Sequence, residues 1–256
     1  MIAVLALMFA LASGPAGAAA PEAPAAPPPA VAAPAATCRL PAGFAEAPVA
    51  LPHARAAVAA RKRLVVMALG GTPMANGVAG DAAMGYPARM GAHLARLLPG
   101  VEVVIDNRAI PNRSARSMGQ RLPEEIAQVR PDLVIWASGS RDALRKTDLA
   151  VYARTLQGGI AAIRAGGADA MLIDTQYAPG WAAIPMLDDY REVIETVAEM
   201  AEAPLFPRHL LMQDWHDHGV INLAETDQGQ QVALARLLFD CLGDALARMV
   251  ARGLAP

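Results

Sequence analysis

Cysteine, aromatic residues and net charge are all scarce in this sequence of 256 residues. Two cysteines are too few for a fold that is held together by several disulfides. A formal net charge of −2, without a block of basic residues, excludes the usual electrostatic basis of nucleic-acid binding. Aromatic residues make up 4% of a chain that is 54% hydrophobic, so much of the apolar content must be alanine, which buries little area per residue.

Much of this alanine lies near the amino terminus. An apolar run, Met1–Ala12, is followed by small residues in Gly14–Ala20, which is the pattern of a secretory signal peptide and its cleavage site. We therefore predict a signal peptide over residues 1–20. The alternative is a retained anchor, but about a dozen apolar residues fall short of the roughly 20 that span a bilayer. Residues 21–37, rich in proline and alanine, are predicted to form an extended linker.

The predicted signal peptide has consequences for the rest of the chain. No later apolar run is long enough for a transmembrane helix, so we expect no stable membrane span after cleavage and a periplasmic or secreted protein. An oxidising compartment allows thiols to persist as a disulfide, and we predict one between Cys38 and Cys241. The alternative is that Cys38 and Cys241 are two buried free thiols.

Residues 38–256 are predicted to form the folded domain, and from Arg63 onward strand and helix patterns alternate, which is typical of a parallel α/β sheet. Runs rich in Val, Ile and Leu predict five strands: Leu64–Leu69, Val101–Ile105, Leu133–Ala137, Ala170–Ile173 and Pro204–Phe206. Apolar residues at spacings of three and four predict helices over Tyr86–Leu98, Ala115–Gln128, Leu149–Ala165, Met186–Ala201 and Gln230–Arg252. We therefore predict one three-layer α/β/α sandwich with a five-stranded parallel sheet. Ligands bind beyond the carboxyl ends of such strands, which directs attention to the loops after the first three strands.

These three loops contain Gly70-Gly71-Thr72, Pro111-Asn112 and Gly139-Ser140-Arg141-Asp142, respectively. Together with other segments in the same order along the chain, they resemble the SGNH (GDSL-type) hydrolases, in particular exported bacterial members. The other segments are Tyr86–Arg89, Val101–Val103, Asn107-Arg108, Arg130–Trp136 and Asp174–Pro179. The resemblance covers about Cys38 to Met249, and it implies a flavodoxin-like SGNH hydrolase fold and a relationship to ester hydrolases.

In that family a serine on the first loop attacks the ester, a histidine near the carboxyl terminus acts as the base, and an oxyanion hole stabilises the intermediate. The resemblance aligns Thr72 with the serine, Asn112 with an oxyanion-hole glycine and Arg141 with an oxyanion-hole asparagine. Threonine adds a methyl group that crowds the approach to a carbonyl carbon. Asparagine has a Cβ that glycine lacks, and arginine is a long cation in place of a short amide.

The family's Asp-x-x-His block should fall within Ile221–Gln231, but that segment contains no histidine. Anchoring the block on Gly229 puts Ile221 and Ala224 in the places of the aspartate and histidine. Matching its aspartate to Asp227 instead puts Gln230 in the place of the base, and glutamine cannot take up a proton near neutral pH. The only nearby candidates for a base are His216 and His218. The substitutions thus affect the nucleophile, the oxyanion hole and the base together.

We therefore predict a catalytically degenerate esterase homologue that binds a glycan, an acyl group or a partner protein. The alternative is an active acyl or carbohydrate esterase, in which Thr72 is the nucleophile, His216 or His218 the base and Arg141 the oxyanion donor. A third hypothesis is an unrelated flavodoxin-like binding protein. The sequence has no phosphate-loop or dinucleotide motif, so we predict no cofactor. The two histidines also leave a zinc site as a minor alternative to a solvated helix end.

Overall fold

The computed structural model of the protein describes residues 38–44, 49–77, 80–181 and 186–255. The predicted signal peptide and linker lie outside the described residues. The strands are β1 (Arg63–Leu69), β2 (Glu102–Asn107), β3 (Leu133–Ala137), β4 (Asp169–Ile173) and β5 (Leu205–Phe206). They form one parallel sheet in the order β2-β1-β3-β4-β5. The predicted five-stranded parallel sheet is thereby confirmed.

The α-helices of the described residues surround this sheet. They are α1 (Pro52–Arg61), α2 (Thr72–Asn76), α3 (Tyr86–Leu97), α4 (Ala115–Gly119), α5 (Leu122–Val129), α6 (Ser140–Leu144), α7 (Leu149–Ala165), α8 (Met186–Met200), α9 (Arg208–Asp217) and α10 (Gln228–Gly253). None of the described helices is both long enough and apolar enough to cross a bilayer.

Two helical layers cover the two faces of the sheet. Along β1, Leu64 and Val66 belong to the core formed with α1, α3 and α10, whereas Met67 and Leu69 belong to the core formed with α4, α5, α7 and α8. This alternation follows from the two-residue period of a strand. Burial on both faces also explains why the strands are almost continuous apolar runs in the sequence. The chain therefore forms the predicted three-layer α/β/α sandwich.

The helix predicted over Ala115–Gln128 is wrong as a single element, because the structure divides it into α4 and α5. Pro123 has no backbone N–H and cannot continue a hydrogen-bonded helix from α4. It instead occupies the first turn of α5, where an N–H would lack an intrahelical partner in any case.

The strand order determines where a ligand site can form. From β1 the chain moves to β2 on one side, and β3 then returns on the other side of β1. The loops that leave β1 and β3 therefore diverge, and a crevice opens between them at the carboxyl ends of the strands. Leu69 pairs with Trp136 at this end of the sheet, so the two loops start from adjacent positions.

The predicted disulfide joins Cys38 to Cys241, with a Cα–Cα distance of 5.3 Å. Cys241 lies in the buried face of α10. The bond connects the first described residue to the last helix across a sequence separation of 203 residues.

Candidate functional site

A cavity of about 380 Å³ lies at the crevice between the loops after β1 and β3. A volume of this size is within the range of about 300–1,000 Å³ that is typical of small-molecule sites. Its walls are formed by Gly71, Thr72, Pro73, Met74, Asn112, Arg113, Ala137, Ser138, Gly139, Ser140, Arg141, Asp142, Leu144, Gln176 and Arg208. The sequence-predicted positions Thr72, Asn112 and Arg141 thus surround one pocket.

Thr72 is the first residue of α2 and follows β1 by two residues. It is exposed, and its hydroxyl has no hydrogen-bond partner in the part of the chain that the structure describes. The neighbouring Met74 is fully buried and anchors the short helix in the core. The loop therefore presents a hydroxyl at the pocket from a fixed position, as a nucleophile would require, but without a base bonded to it.

Asn112 has a φ of 61°, in the left-handed region that favours glycine. Asparagine is one of the few other residues that adopt this conformation readily. The loop after β2 therefore keeps a backbone conformation suited to the glycine that the family resemblance places there. The substitution changes the side chain at the pocket more than it changes the shape of the turn.

Gly139 is the second residue after β3 and has a φ of 100°. A Cβ at this position would lie 2.9 Å from the Thr175 methyl carbon and 3.1 Å from the Tyr152 hydroxyl. Both the conformation and the crowding therefore require glycine. The next two residues each carry a buried polar atom without a hydrogen-bond partner among the described residues, namely the Ser140 Oγ and the Arg141 Nε.

Asp142 connects the third loop to α4. Its buried carboxylate accepts hydrogen bonds from the Ala115 N–H, at 3.1 and 3.0 Å for its two oxygens. Burial raises the pKa of Asp142, and hydrogen bonds from the backbone of Ala115 and Gly139 oppose that rise. The bonds hold the loops after β2 and β3 together around the pocket, so Asp142 acts as a positioning residue.

Arg208 reaches the pocket from the start of α9, and no motif in the sequence had assigned it a role. The residue is only 5% exposed. Its Nη2 donates to the Asp174 carbonyl oxygen at 2.6 Å, and its Nη1 lies 3.4 Å from the Tyr86 hydroxyl. Its Nε is buried and has no partner among the described residues. In the sequence, the feature that could have pointed to Arg208 is its position two residues after the end of β5, because ligand-binding residues are expected just after the strands.

The Asp174 carboxyl, at the end of β4, lies near this guanidinium. Its Oδ1 accepts a hydrogen bond from the His209 N–H at 2.9 Å. Burial raises the pKa of Asp174 to about 7, although this hydrogen bond and the charge of Arg208 oppose the rise. The carboxyl is therefore only partly ionised at neutral pH, and it supplies an incomplete counter-charge to Arg208.

The two histidines proposed as bases lie on the carboxyl-terminal end of α9 or just after it. His216 Nδ1 accepts from the Leu223 N–H at 3.3 Å, and its ring centroid is 5.8 Å from that of Tyr177. His218 is exposed, with its Nδ1 3.3 Å from an Asp214 carboxylate oxygen. No histidine is among the described residues that line the pocket.

A third histidine, His209, lies closer to the pocket in the fold than its isolated position in the sequence indicated. Its Nδ1 is 3.5 Å from the Thr175 hydroxyl, and its ring hydrogen-bonds to the backbone of Gln176, a pocket residue. Burial, followed by the charge of Arg191, lowers the pKa of His209. The imidazole is therefore neutral near pH 7 and able to accept a proton.

The segment that should contain the Asp-x-x-His block leads into α10. Asp227 is the N-cap of this helix, and its Oδ1 accepts from the Gln230 N–H at 2.9 Å. Gln230 itself is exposed. The aspartate matched to the family thus caps a helix. The described residues also contain no group of three or more His, Cys, Asp or Glu arranged to hold a metal.

Comparison with solved structures identifies the fold. The lipase/acylhydrolase from Enterococcus faecalis is 18% identical, with a TM-score of 0.59 over 73% of this chain and 95% of the other. The acetylxylan esterase from Geobacillus stearothermophilus is 19% identical, with a TM-score of 0.57 over 75% and 94%. The protein TesA is 22% identical, with a TM-score of 0.57 over 71% and 97%. At these identities the likeness shows a shared fold.

The sequence itself was also compared with known families. None of the curated proteins matches it. Residues 37–256 match the model of the non-GDSL lipase-like family, which covers the whole predicted folded region. This description agrees with the replacement of the Gly-Asp-Ser motif by Gly70-Gly71-Thr72. The chain therefore belongs to the non-GDSL lipase-like family, and it shares its fold with the solved lipase/acylhydrolase and acetylxylan esterase.

Proposed function

We propose that this protein is an exported binding protein built on the SGNH hydrolase fold, and that it holds its ligand in the pocket without hydrolysing it. A glycan, an acyl group or a segment of a partner protein is the expected occupant. The proposal combines the family assignment with the chemistry of the pocket residues. The pocket would then lie where the active site of the family lies, but it would no longer hydrolyse esters.

The observation that carries the proposal is the absence of a histidine from the described lining of the pocket, although Thr72 offers a hydroxyl there. A hydroxyl becomes an effective nucleophile only when a base removes its proton. His216 and His218 have hydrogen-bonding or ionic contacts elsewhere on α9 and the following loop. Loss of single members of such a catalytic unit costs several powers of ten in rate.

The altered oxyanion positions support the same proposal. An oxyanion hole needs donors aimed at the oxygen on which charge develops. Arg141 brings a charge and a long side chain to a position where the family has a compact amide. Its buried Nε has no hydrogen-bond partner among the described residues, so it is available to a bound ligand.

An active ester hydrolase remains the second candidate, and one specific observation favours it. His209 is half-buried, hydrogen-bonds to the backbone of Gln176 at the pocket wall, and is neutral near pH 7 because burial lowers its pKa. It is therefore better suited to act as a base than the two histidines predicted from the sequence. In that mechanism Thr72 would attack the ester and Arg141 would bind the developing oxyanion.

The export part of the proposal rests on the sequence of residues 1–37 and on the disulfide between Cys38 and Cys241. Disulfides persist in the periplasm and outside the cell. Cell fractionation of a strain that expresses the full chain, with amino-terminal sequencing of the mature protein, tests it. A cytoplasmic protein that retains residues 1–20 would contradict export.

The catalytic question is tested with the purified domain, p-nitrophenyl acetate and a fluorophosphonate probe. We expect neither turnover above the Thr72→Ala variant nor covalent labelling of Thr72. Thr226→Ala, which makes the same change at an exposed residue outside the pocket, is the matched control. Saturable turnover that disappears in Thr72→Ala and persists in Thr226→Ala would establish the hydrolase instead. His209→Ala would then show whether this histidine supplies the base.

A further inference from the structure

Three arginines, Arg113, Arg141 and Arg208, line the pocket. Other arginines of this chain, such as Arg89 and Arg121, form ion pairs with carboxylates. The three pocket arginines form none within 4.0 Å in the described part of the chain. The pocket thus concentrates positive charge in a protein whose net charge is −2.

The burial of Arg208 makes this arrangement costly. Removing a charge from water destabilises a protein by several kcal/mol, on the order of the stability of a small domain, unless the charge is paired and hydrogen-bonded. Arg208 is only 5% exposed, yet its guanidinium donates to the neutral carbonyl oxygen of Asp174 and lies near the neutral hydroxyl of Tyr86. Its Nε has no partner among the described residues. A guanidinium held in this way lacks an anion.

The two carboxyls near the pocket do not supply that anion. Asp142 directs both oxygens to the backbone N–H of Ala115. Asp174 accepts from the backbone N–H of His209, and its pKa of about 7 leaves it only partly ionised. Both carboxyls are therefore bonded to the main chain, and the positive charge of the arginines is not balanced within the site.

The same cavity also has an apolar wall, formed by Pro73, Met74, Ala137 and Leu144. Leu144 is 50% exposed, so its side chain is open to contact with a ligand. A ligand that covered this side chain would gain the free energy of removing apolar surface from water. The pocket thus offers cationic groups and hydrocarbon within one small volume.

We propose that the pocket binds a small organic acid, whose carboxylate is held by Arg141 and Arg208 and whose hydrocarbon part packs near Leu144. Guanidinium groups bind carboxylates through paired, charge-assisted hydrogen bonds. The inference deepens the proposed binding function by naming the class of ligand. A pocket of this kind differs from one that selects a neutral ester, because its affinity depends on the negative charge of the ligand.

Hexanoate and hexanamide test the proposal, since they match in size and differ in charge. Binding to the purified domain is measured by isothermal titration calorimetry at low ionic strength, where charge effects are least screened. We expect hexanoate to bind at least tenfold more tightly than hexanamide, about the effect of one charge-assisted hydrogen bond. Equal binding of the two compounds would overturn the proposal. Tighter binding of inorganic phosphate than of hexanoate would overturn the choice of an organic acid.

Arginine variants locate the interaction. Arg141→Gln removes a pocket charge without removing a hydrogen bond to the described chain, and it should weaken hexanoate binding about tenfold or more. Arg154→Gln removes the same charge from an exposed position on α7 and should leave the affinity unchanged. Equal losses in the two variants would mean a nonspecific charge effect and would overturn the proposal. Arg208→Lys tests the buried guanidinium where the variant folds, as judged by circular dichroism.

The result of the hexanoate binding experiment does not depend on the result of the test for ester turnover. Hexanoate cannot be hydrolysed, so its binding is measured whether or not the protein is an esterase. Ester turnover together with arginine-dependent hexanoate binding would refute the proposed loss of catalysis and leave this inference intact. No turnover together with equal binding of hexanoate and hexanamide would refute this inference and leave the loss of catalysis intact.

Discussion

Both carboxylate oxygens of Asp142 accept hydrogen bonds from the backbone N–H of Ala115, 27 residues earlier in the chain. The bonds cross from α6 to the first residue of α4, and so they tie together the segments after β2 and β3, both of which contribute residues to the pocket. A buried N–H that loses its acceptor costs about 1–3 kcal/mol. The relationship therefore bears on both the stability of the domain and the shape of the site.

We expect Asp142→Ala to lower the free energy of unfolding by about 1–3 kcal/mol, because it leaves the N–H groups of Ala115 and Gly139 without their acceptor. Urea unfolding followed by circular dichroism measures the change. Asp217→Ala, at an exposed position at the end of α9, is the control and should change stability little. Equal effects of the two substitutions would contradict the positioning role of Asp142.

The left-handed conformation of Asn112 predicts an unusual order of variants. Asn112→Gly should leave the free energy of unfolding within a few tenths of a kcal/mol, since glycine adopts this conformation without strain. Asn112→Ala should be destabilised by about 1 kcal/mol, because the left-handed region is costly for an ordinary side chain. The same urea assay compares the two. An alanine variant as stable as the glycine variant would show that the turn relaxes to another conformation.

Much of the fold could be predicted from the sequence because the central strands β1, β3 and β4 are buried on both faces. Such strands appear as apolar runs, and the sheet with its order of elements follows from them. The helix α9 was missed for a physical reason. Its buried face is Arg208, Leu211, Met212 and Trp215, which has helical spacing, but a charged residue occupies the first apolar position. A pattern of hydrophobic residues cannot reveal a helix whose inward face includes a cation.

The candidate site was predictable only in part. Thr72, Asn112 and Arg141 were found because each follows a strand and matches a block of the family. Gln176 and Arg208 also follow strands, but the resemblance assigned no role to either of them, although Gln176 lies within the matching segment Asp174–Pro179. Gln176 and Arg208 reach the pocket because β4 and β5 pair in parallel, so that the residues after both strands lie at the carboxyl ends of the sheet. This pairing depends on tertiary structure.

The raised pKa of Asp174 predicts a dependence of stability on pH. An unfolded aspartate has a pKa of about 3.9, whereas burial raises that of Asp174 to about 7. The folded state therefore binds this proton more tightly, and the resulting stabilisation is fully present below about pH 4 and is lost as the pH rises through 7. The loss should be on the order of 4 kcal/mol, at about 1.4 kcal/mol for each pH unit.

Urea unfolding of the wild type and of Asp174→Asn across this pH range checks the prediction. Asparagine cannot ionise, so the stability of the wild type relative to the variant should fall between about pH 4 and 7 and level off above. Asp189→Asn, an exposed change on α8, should give a pH profile parallel to that of the wild type. A constant difference between wild type and Asp174→Asn at all pH values would show that this carboxyl does not titrate as its burial implies.

The disulfide between Cys38 and Cys241 should provide a large share of the stability of the domain. It closes a loop of 203 residues in the unfolded chain, and the chain-entropy relation gives about 5 kcal/mol for a loop of this length. We expect the Cys38→Ser, Cys241→Ala double variant to lose stability by up to about this amount. Alanine is chosen for Cys241 because that position is fully buried and a hydroxyl there would be left in an apolar core.

Treatment with a reductant separates the effect of the bond from that of the substitutions. Dithiothreitol should lower the urea midpoint of the wild type towards that of the double variant, and it should leave the double variant unchanged. If the reduced and oxidised wild type unfold at the same midpoint, the bond does not constrain the unfolded chain as the entropy relation requires. A large difference would mean that the domain reaches its full stability only where thiols are oxidised, which is the condition that the proposed export would provide.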